Sequence, residues 1–168
     1  PDGRYVAYLS YQDDVLRLYD YAADAVMEVT AVSGTTYLRW APDSPSLLFN
    51  DVSRTSGHTF IRQYMPAGKR LTALTDPATT DITAAAFSPD GKFLVVNGSI
   101  GENSGLWLQD VATGTHRPLV TTSFAWDIQG VSLQWSPDGT SLAYLRGAET
   151  CEIVHVPTGS LQSIANVD

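Results

Sequence analysis

One short phrase recurs along this chain and constrains its fold more than any other feature. Ser88-Pro89-Asp90-Gly91 and Ser136-Pro137-Asp138-Gly139 each follow an aromatic residue, Phe87 or Trp135, and precede an apolar run. Trp40-Ala41-Pro42-Asp43 carries a variant of the phrase, and Pro1-Asp2-Gly3 a clipped copy. The four prolines stand 41, 47 and 48 residues apart. A second turn marker, Asp24, Gly68, Gly114 and Gly159, advances in step with them at 44, 46 and 45 residues. Two unrelated turn signals sharing one period are the mark of a repeat protein.

Each phrase has a mechanical meaning. Proline presets φ at the first corner, aspartate suits the second, and glycine takes the left-handed position that closes a short hairpin. The second marker reverses the chain again 20 to 24 residues later, with Asp24 standing where glycine would be, a substitution aspartate tolerates better than most residues. Copy two lacks the glycine, and Pro45 restricts Ser44 to extended conformations, so a looser turn is expected there.

Four strands fall between the turns of each repeat. The first ends in Trp40, Phe87 or Trp135, with Leu38, Ala85 or Leu133 two residues earlier on the same face. The second is apolar almost throughout, as in Phe93-Leu94-Val95-Val96 and Leu142-Ala143-Tyr144-Leu145, which suits a strand covered on both faces. The third alternates, as in Val15-Leu16-Arg17-Leu18-Tyr19. The fourth, near Val26 to Val29, Leu71 to Leu74, Arg117 to Val120 and Leu161 to Ile164, is short and more polar than the others, as befits an outer edge. No window carries a helical apolar period, so the chain reads as all-β. Four antiparallel strands repeating in this way make the blade of a β-propeller, in which neighbouring blades cover each other's faces.

The Ser-Pro-Asp-Gly tetrapeptides with their preceding aromatics resemble the TolB-like and WD-repeat-like propeller families. Leu106-Trp107-Leu108-Gln109-Asp110-Val111-Ala112-Thr113-Gly114 is similar to the third strand and turn of a WD-repeat blade, although no Gly-His pair opens the repeats and no Trp-Asp pair ends the third strand. The resemblance covers the whole chain and implies an architecture; the fold hosts many unrelated functions. The expectation is a single partial β-propeller over residues 1–168, about 3.75 four-stranded antiparallel blades: 1–30 without its inner strand, 35–75, 82–121 and 130–165. Ring closure commonly takes four or more complete blades. This sector is therefore expected to be completed by further sequence or by another chain, and alone it would expose two apolar blade faces.

Composition narrows the partners. Ten Lys and Arg against 18 Asp and Glu give a net charge of −8, with no basic cluster. Binding to nucleic acid, which depends on neutralising phosphates, is not expected, nor is binding to an anionic membrane surface. No stretch is long and apolar enough for membrane insertion as a helix. The single cysteine, Cys151, excludes an internal disulfide. The compartment stays open between cytoplasmic and extracytoplasmic.

Function on such a scaffold is expected on the longer loops. These join strands two and three, or one blade to the next, and share one face. Asp13, Asp14, Asp51, Asp76, Asp81, Glu102, Asp127 and Glu149 give that face an acidic cast, with Arg54 as its chief positive charge. Thr121 to Asp127 places Phe124 and Trp126, two potential hot-spot aromatics, where loops are usually polar. The candidate partner-binding residues are Phe124, Trp126, Asp127, Arg54, Asp14 and Glu102.

No catalytic, cofactor or metal site is expected. His58, His116 and His155 fall in three different blades, without metal-ligand spacing. Gly101 to Gly105 lacks the strand-to-helix context of a nucleophile elbow, and Asp2, Asp43, Asp90 and Asp138 serve the turns. Asn97-Gly98-Ser99 matches a glycosylation triplet. The sequence therefore points to a non-catalytic scaffold that presents its long-loop face to a protein or peptide. One alternative is a regulatory or gating propeller of a larger enzyme, as a resemblance to prolyl-oligopeptidase-type serine peptidase propellers implies. Another is a propeller holding a small ligand or sugar in its central funnel.

Overall fold

The computed structural model describes residues 3–42, 46–122, 128–147 and 150–165. Apart from one 3-10 turn, Pro66–Gly68, every regular element among them is a strand. The first sheet holds β1 (Tyr5–Ser10), β2 (Val15–Asp20) and β3 (Ala25–Ala31). The second holds β4 (Leu38–Trp40), β5 (Leu47–Val52), β6 (Thr59–Met65) and β7 (Arg70–Ala73). The third holds β8 (Thr80–Phe87), β9 (Phe93–Ile100), β10 (Asn103–Asp110) and β11 (His116–Thr122). The fourth holds β12 (Ile128–Trp135), β13 (Ser141–Arg146), β14 (Thr150–His155) and β15 (Ser160–Ala165). Each sheet is an antiparallel meander in which strands pair only with their neighbours in sequence.

The core lies between the sheets. Alternate residues of a strand point to opposite faces, so the apolar run Leu47-Leu48-Phe49, buried throughout, feeds two separate interfaces. Leu47, Phe49 and Tyr64 pack with Leu16, Leu18 and Val32 and seal the first sheet to the second. Leu48 and Ile61 face the other way, into a core that continues through Ile82, Leu94, Val96 and Leu106 to Leu142 and Tyr144 of the fourth sheet. Each fully buried Leu or Ile contributes about 1.5–3 kcal/mol, and only the adjacent sheet supplies its cover. Side chain-to-backbone hydrogen bonds cross the same seams. Gln109 Nε2 donates to the Leu74 carbonyl (2.8 Å), Arg117 Nη2 to Val156 (2.9 Å), and Trp135 Nε1 to Ala86 (3.1 Å). The Tyr37 hydroxyl donates to the Ala85 carbonyl, and burial pushes it up to about 12.

The Ser-Pro-Asp-Gly turns follow their sequence closely. Gly91 and Gly139 sit at φ 69° and 72°. The Ser88 and Ser136 hydroxyls donate to the aspartate two residues on (2.7 and 2.6 Å), whose oxygen accepts the Lys92 or Thr140 amide. The looser turn expected at 43–45 lies outside the described residues.

Two expectations need correction. Asp24 takes the left-handed conformation (φ 49°) as read, but Gly68 does not: Pro66 starts a tight 3-10 turn that absorbs Gly68, and Lys69 occupies the left-handed position at φ 48°. The left-handed residues are therefore Asp24, Lys69, Gly114 and Gly159, each 45 positions after the last. Two of the outer strands are also longer than predicted, since β3 and β11 both run 7 residues. A β-bulge interrupts each, at Val29 opposite Leu16/Arg17 and at Leu119 opposite Leu106/Trp107. Such bulges twist a long edge away from flat pairing.

Candidate partner-binding faces

The meander puts the two kinds of tight turn on one face of the assembly and the longer loops on the other. On the turn face, the amides of Tyr21, Val111 and Val156 donate to the carbonyls of Arg4, Lys92 and Thr140, all at 2.9 Å, joining the two turn types within a sheet. Three of the carboxylates there serve the backbone of their own turns. Asp138 is held down at about 2, first by the Ser136 hydroxyl and then by the Thr140 amide. Asp90 is lowered by Ser88 and Lys92, and Asp110 by the amide and hydroxyl of Thr113.

On the loop face most carboxylates are also engaged. Asp13 pairs with Arg17, whose side chain also reaches Glu28, and that bond to Arg17 holds Asp13 at about 2. Asp76 accepts the Ala78 amide and the Thr79 hydroxyl and closes its own loop. Asp81 takes His58 Nδ1 (2.8 Å) and the Thr59 amide (3.1 Å), bridging the second and third sheets. Burial pushes the Asp81 carboxyl up, but these donors outweigh it and hold it below the usual carboxylate range. Asp51 is buried and accepts the Ser33 and Val52 amides, both at 2.9 Å, and Arg62 Nη1 at 2.7 Å. The acidic cast of this face is thus largely consumed by the fold.

Of the candidates read from the sequence, Asp14, Arg54 and Glu102 are exposed on this face. Asp14 has φ 52°, and its carbonyl accepts the Val32 amide (2.8 Å), tying the β2 hairpin to the connection leaving the first sheet. Glu102 sits in the β9–β10 turn beside Gly101 (φ 59°). Arg54 has no hydrogen bond or ion pair to another group among the described residues. Phe124, Trp126 and Asp127, and Glu149 with them, lie outside the described residues.

Arg54 belongs to a feature that the sequence reading missed. A cleft of about 440 Å³ opens at the seam of the first and second sheets, between Thr30 and Ala31 on one side and Ser53, Arg54 and Pro77 on the other, with Asp51, Phe60 and Arg62 at its base. The Arg62 guanidinium lies 5.8 Å from the Phe49 ring centroid and 6.0 Å from that of Phe60, an arrangement that favours a cation over aromatic faces. One signal was available. In Phe60-Ile61-Arg62-Gln63-Tyr64 the arginine falls in the phase of two buried aromatics, so its charge is carried into the seam.

A second cavity, of about 280 Å³, runs along the inner strands toward the turn face. Trp40, Phe87 and Trp135, equivalent positions of three repeats, meet there with Pro42 and Pro89. The sequence shows them as the apolar ends of first strands; that they converge follows from the radial arrangement. Among the described residues no three His, Cys, Asp or Glu side chains are grouped to hold a metal ion, and no helix is long and apolar enough to cross a membrane. Asn97 is buried, and its amide donates to the Thr83 hydroxyl (3.1 Å), so the glycosylation triplet is closed to a glycan in the folded chain.

Comparison with solved structures decides the architecture. TolB from Acinetobacter baumannii is 22% identical with a TM-score of 0.73, over 99% of this chain and 42% of that one. The fold is that of a TolB-like β-propeller. This propeller is also similar to the tricorn protease (16% identity, TM-score 0.66, 96% of this chain and 16% of that one). A structure of a nidogen/laminin complex matches too (11%, 0.70, 97% of this chain and 60% of that one). The propeller thus spans less than two thirds of each of these three chains, and likeness at such identities is likeness of fold. No family model matches the sequence, and no curated protein matches it.

Proposed function

We propose that this chain is a non-catalytic propeller module that binds a protein or peptide partner on its long-loop face. The observation that carries this reading is the cleft beside Arg54: an open concavity of about 440 Å³ whose rim holds an exposed cation unpaired among the described residues, on a face where most other charges are engaged. A concave, mostly apolar site with a few polar groups is the usual form of a recognition site. The nidogen/laminin complex, in which a similar chain occurs in an assembly of two proteins, supports the reading as an analogy of fold. A photoreactive residue at position 55 or 102 of the loop face is expected to give covalent protein adducts in the native cell, and one at position 92 or 113 of the turn face is not. Adducts from the turn face alone, or equally from both, would overturn the proposal.

The inner-strand groove favours a second reading, a sugar or other small ring held in the funnel, because aromatic faces such as those of Trp40 and Trp135 stack on flat apolar surfaces. A panel of oligosaccharides quenching tryptophan emission, with the response lost in Trp40→Ala, would support it; no quenching by any of them would remove it.

A further inference from the structure

We infer that the cleft at the seam of the first and second sheets is a carboxylate-binding site, one that takes an aspartate or glutamate of an extended peptide together with an adjoining apolar side chain. The inference rests on the loop-face reading above and adds the chemistry of the ligand. Two guanidiniums, Arg54 and Arg62, line the cleft against one carboxylate, Asp51. The pocket is thus locally cationic in a chain whose net charge is −8. Asp51 has both oxygens engaged: one accepts the Ser33 and Val52 amides and the other accepts Arg62 Nη1. It therefore fixes Arg62 in place without meeting the remaining donors of that guanidinium, which find no acceptor among the described residues. A guanidinium held in this way, with its fork of donors left over, is preorganised for a carboxylate. Arg54, exposed at the rim, adds a second cation to the same cleft. Phe60, Pro77 and Ala31 supply an apolar lining for the neighbouring side chain. The rest of the protein repels acidic bodies in general, so the cleft selects for position as well as for charge.

The test uses the full chain and three probes: the capped pentapeptide Gly-Leu-Asp-Leu-Gly, the same peptide with Asn for Asp, and inorganic phosphate, each titrated while backbone amide signals are followed. The Asp peptide is expected to move the amides of Ala31, Ser53 and Arg54, and the Asn peptide to bind at least about tenfold more weakly, as loss of a charge-assisted hydrogen bond requires. Arg54→Ala should weaken the Asp peptide by a similar factor and Arg54→Lys by less. Arg70→Ala, which removes an exposed charge at the opposite end of the same sheet, should change nothing. Unfolding midpoints of the variants check that the fold is intact. Equal binding of the Asp and Asn peptides, indifference to Arg54→Ala, phosphate binding as tight as the Asp peptide, or no binding would each overturn the inference. If the cross-links at positions 55 and 102 form while the peptide leaves the cleft amides unmoved, the carboxylate chemistry falls and the loop-face reading stands. If the peptide binds in the cleft and no cross-link forms, the site survives and the partner-binding function falls.

Discussion

The two faces of this molecule use the same side chains for different ends. On the turn face, Asp90, Asp110 and Asp138 accept amides and hydroxyls within their own hairpins, and Asp90 and Asp138 do so at equivalent positions of successive blades. On the loop face, Asp51 holds the connection that leaves the first sheet and Asp81 reaches across to the second sheet. There the spacing is irregular, and Arg54, Asp14 and Glu102 remain exposed. A repeat can specify a turn because each turn is local. Contacts between repeats depend on which loop faces which, and this is where individual character, and with it recognition, is free to develop.

The largest test of this contrast removes the inter-sheet carboxylate. Asp51→Ala leaves Arg62 without its partner in a largely buried seam and the Ser33 amide without its acceptor, and is expected to cost about 3 kcal/mol in urea unfolding. A turn-face glycine should cost less. Gly91→Ala meets no neighbouring atom but must hold φ 69°, a penalty of about 1–2 kcal/mol. Lys69→Gly removes the same kind of strain and should raise stability by up to about 1 kcal/mol, whereas Gly68→Ala, with open space around it, should move stability by a few tenths at most.

Acid titration separates the faces further. The folded-state value of Asp138, about 2, lies below the ordinary 3.8, so its contribution is fully present above about pH 4 and is lost as pH falls toward 2. Asp138→Asn should flatten that part of the stability–pH curve, read as thermal midpoints between about pH 2 and pH 5. The smallest expected effect is that of Arg54→Ala on stability, within about 0.5 kcal/mol. A larger loss would mean that Arg54 belongs to the fold and not to a binding surface.

Legibility in the sequence followed the same division. The four-strand blades, the glycines at positions 91 and 139 and the left-handed Asp24 were all readable, because each rests on the local preference of one or two residues. Gly68 misled because glycine marks where a left-handed residue is easy, and the proline two places earlier moved the need to Lys69. The cleft was legible only through the phase of Arg62, and for another reason. Arg62, Ala31 and Pro77 lie in separate elements, and only the packing of the first sheet on the second brings them around one cleft. The convergence of Trp40, Phe87 and Trp135 was half-visible, since their shared phase is in the repeat but their distance from one another depends on the turn from blade to blade.

The central claim is that the loop face receives the partner while the turn face serves the fold. Hydrogen exchange on the chain with and without its cross-linked partner tests this most directly. The account predicts new protection confined to residues 30–35, 53–58, 75–79 and 100–103, with the turns at 88–92 and 111–115 unchanged. Protection of those turns, with the loops left as they were, would contradict it.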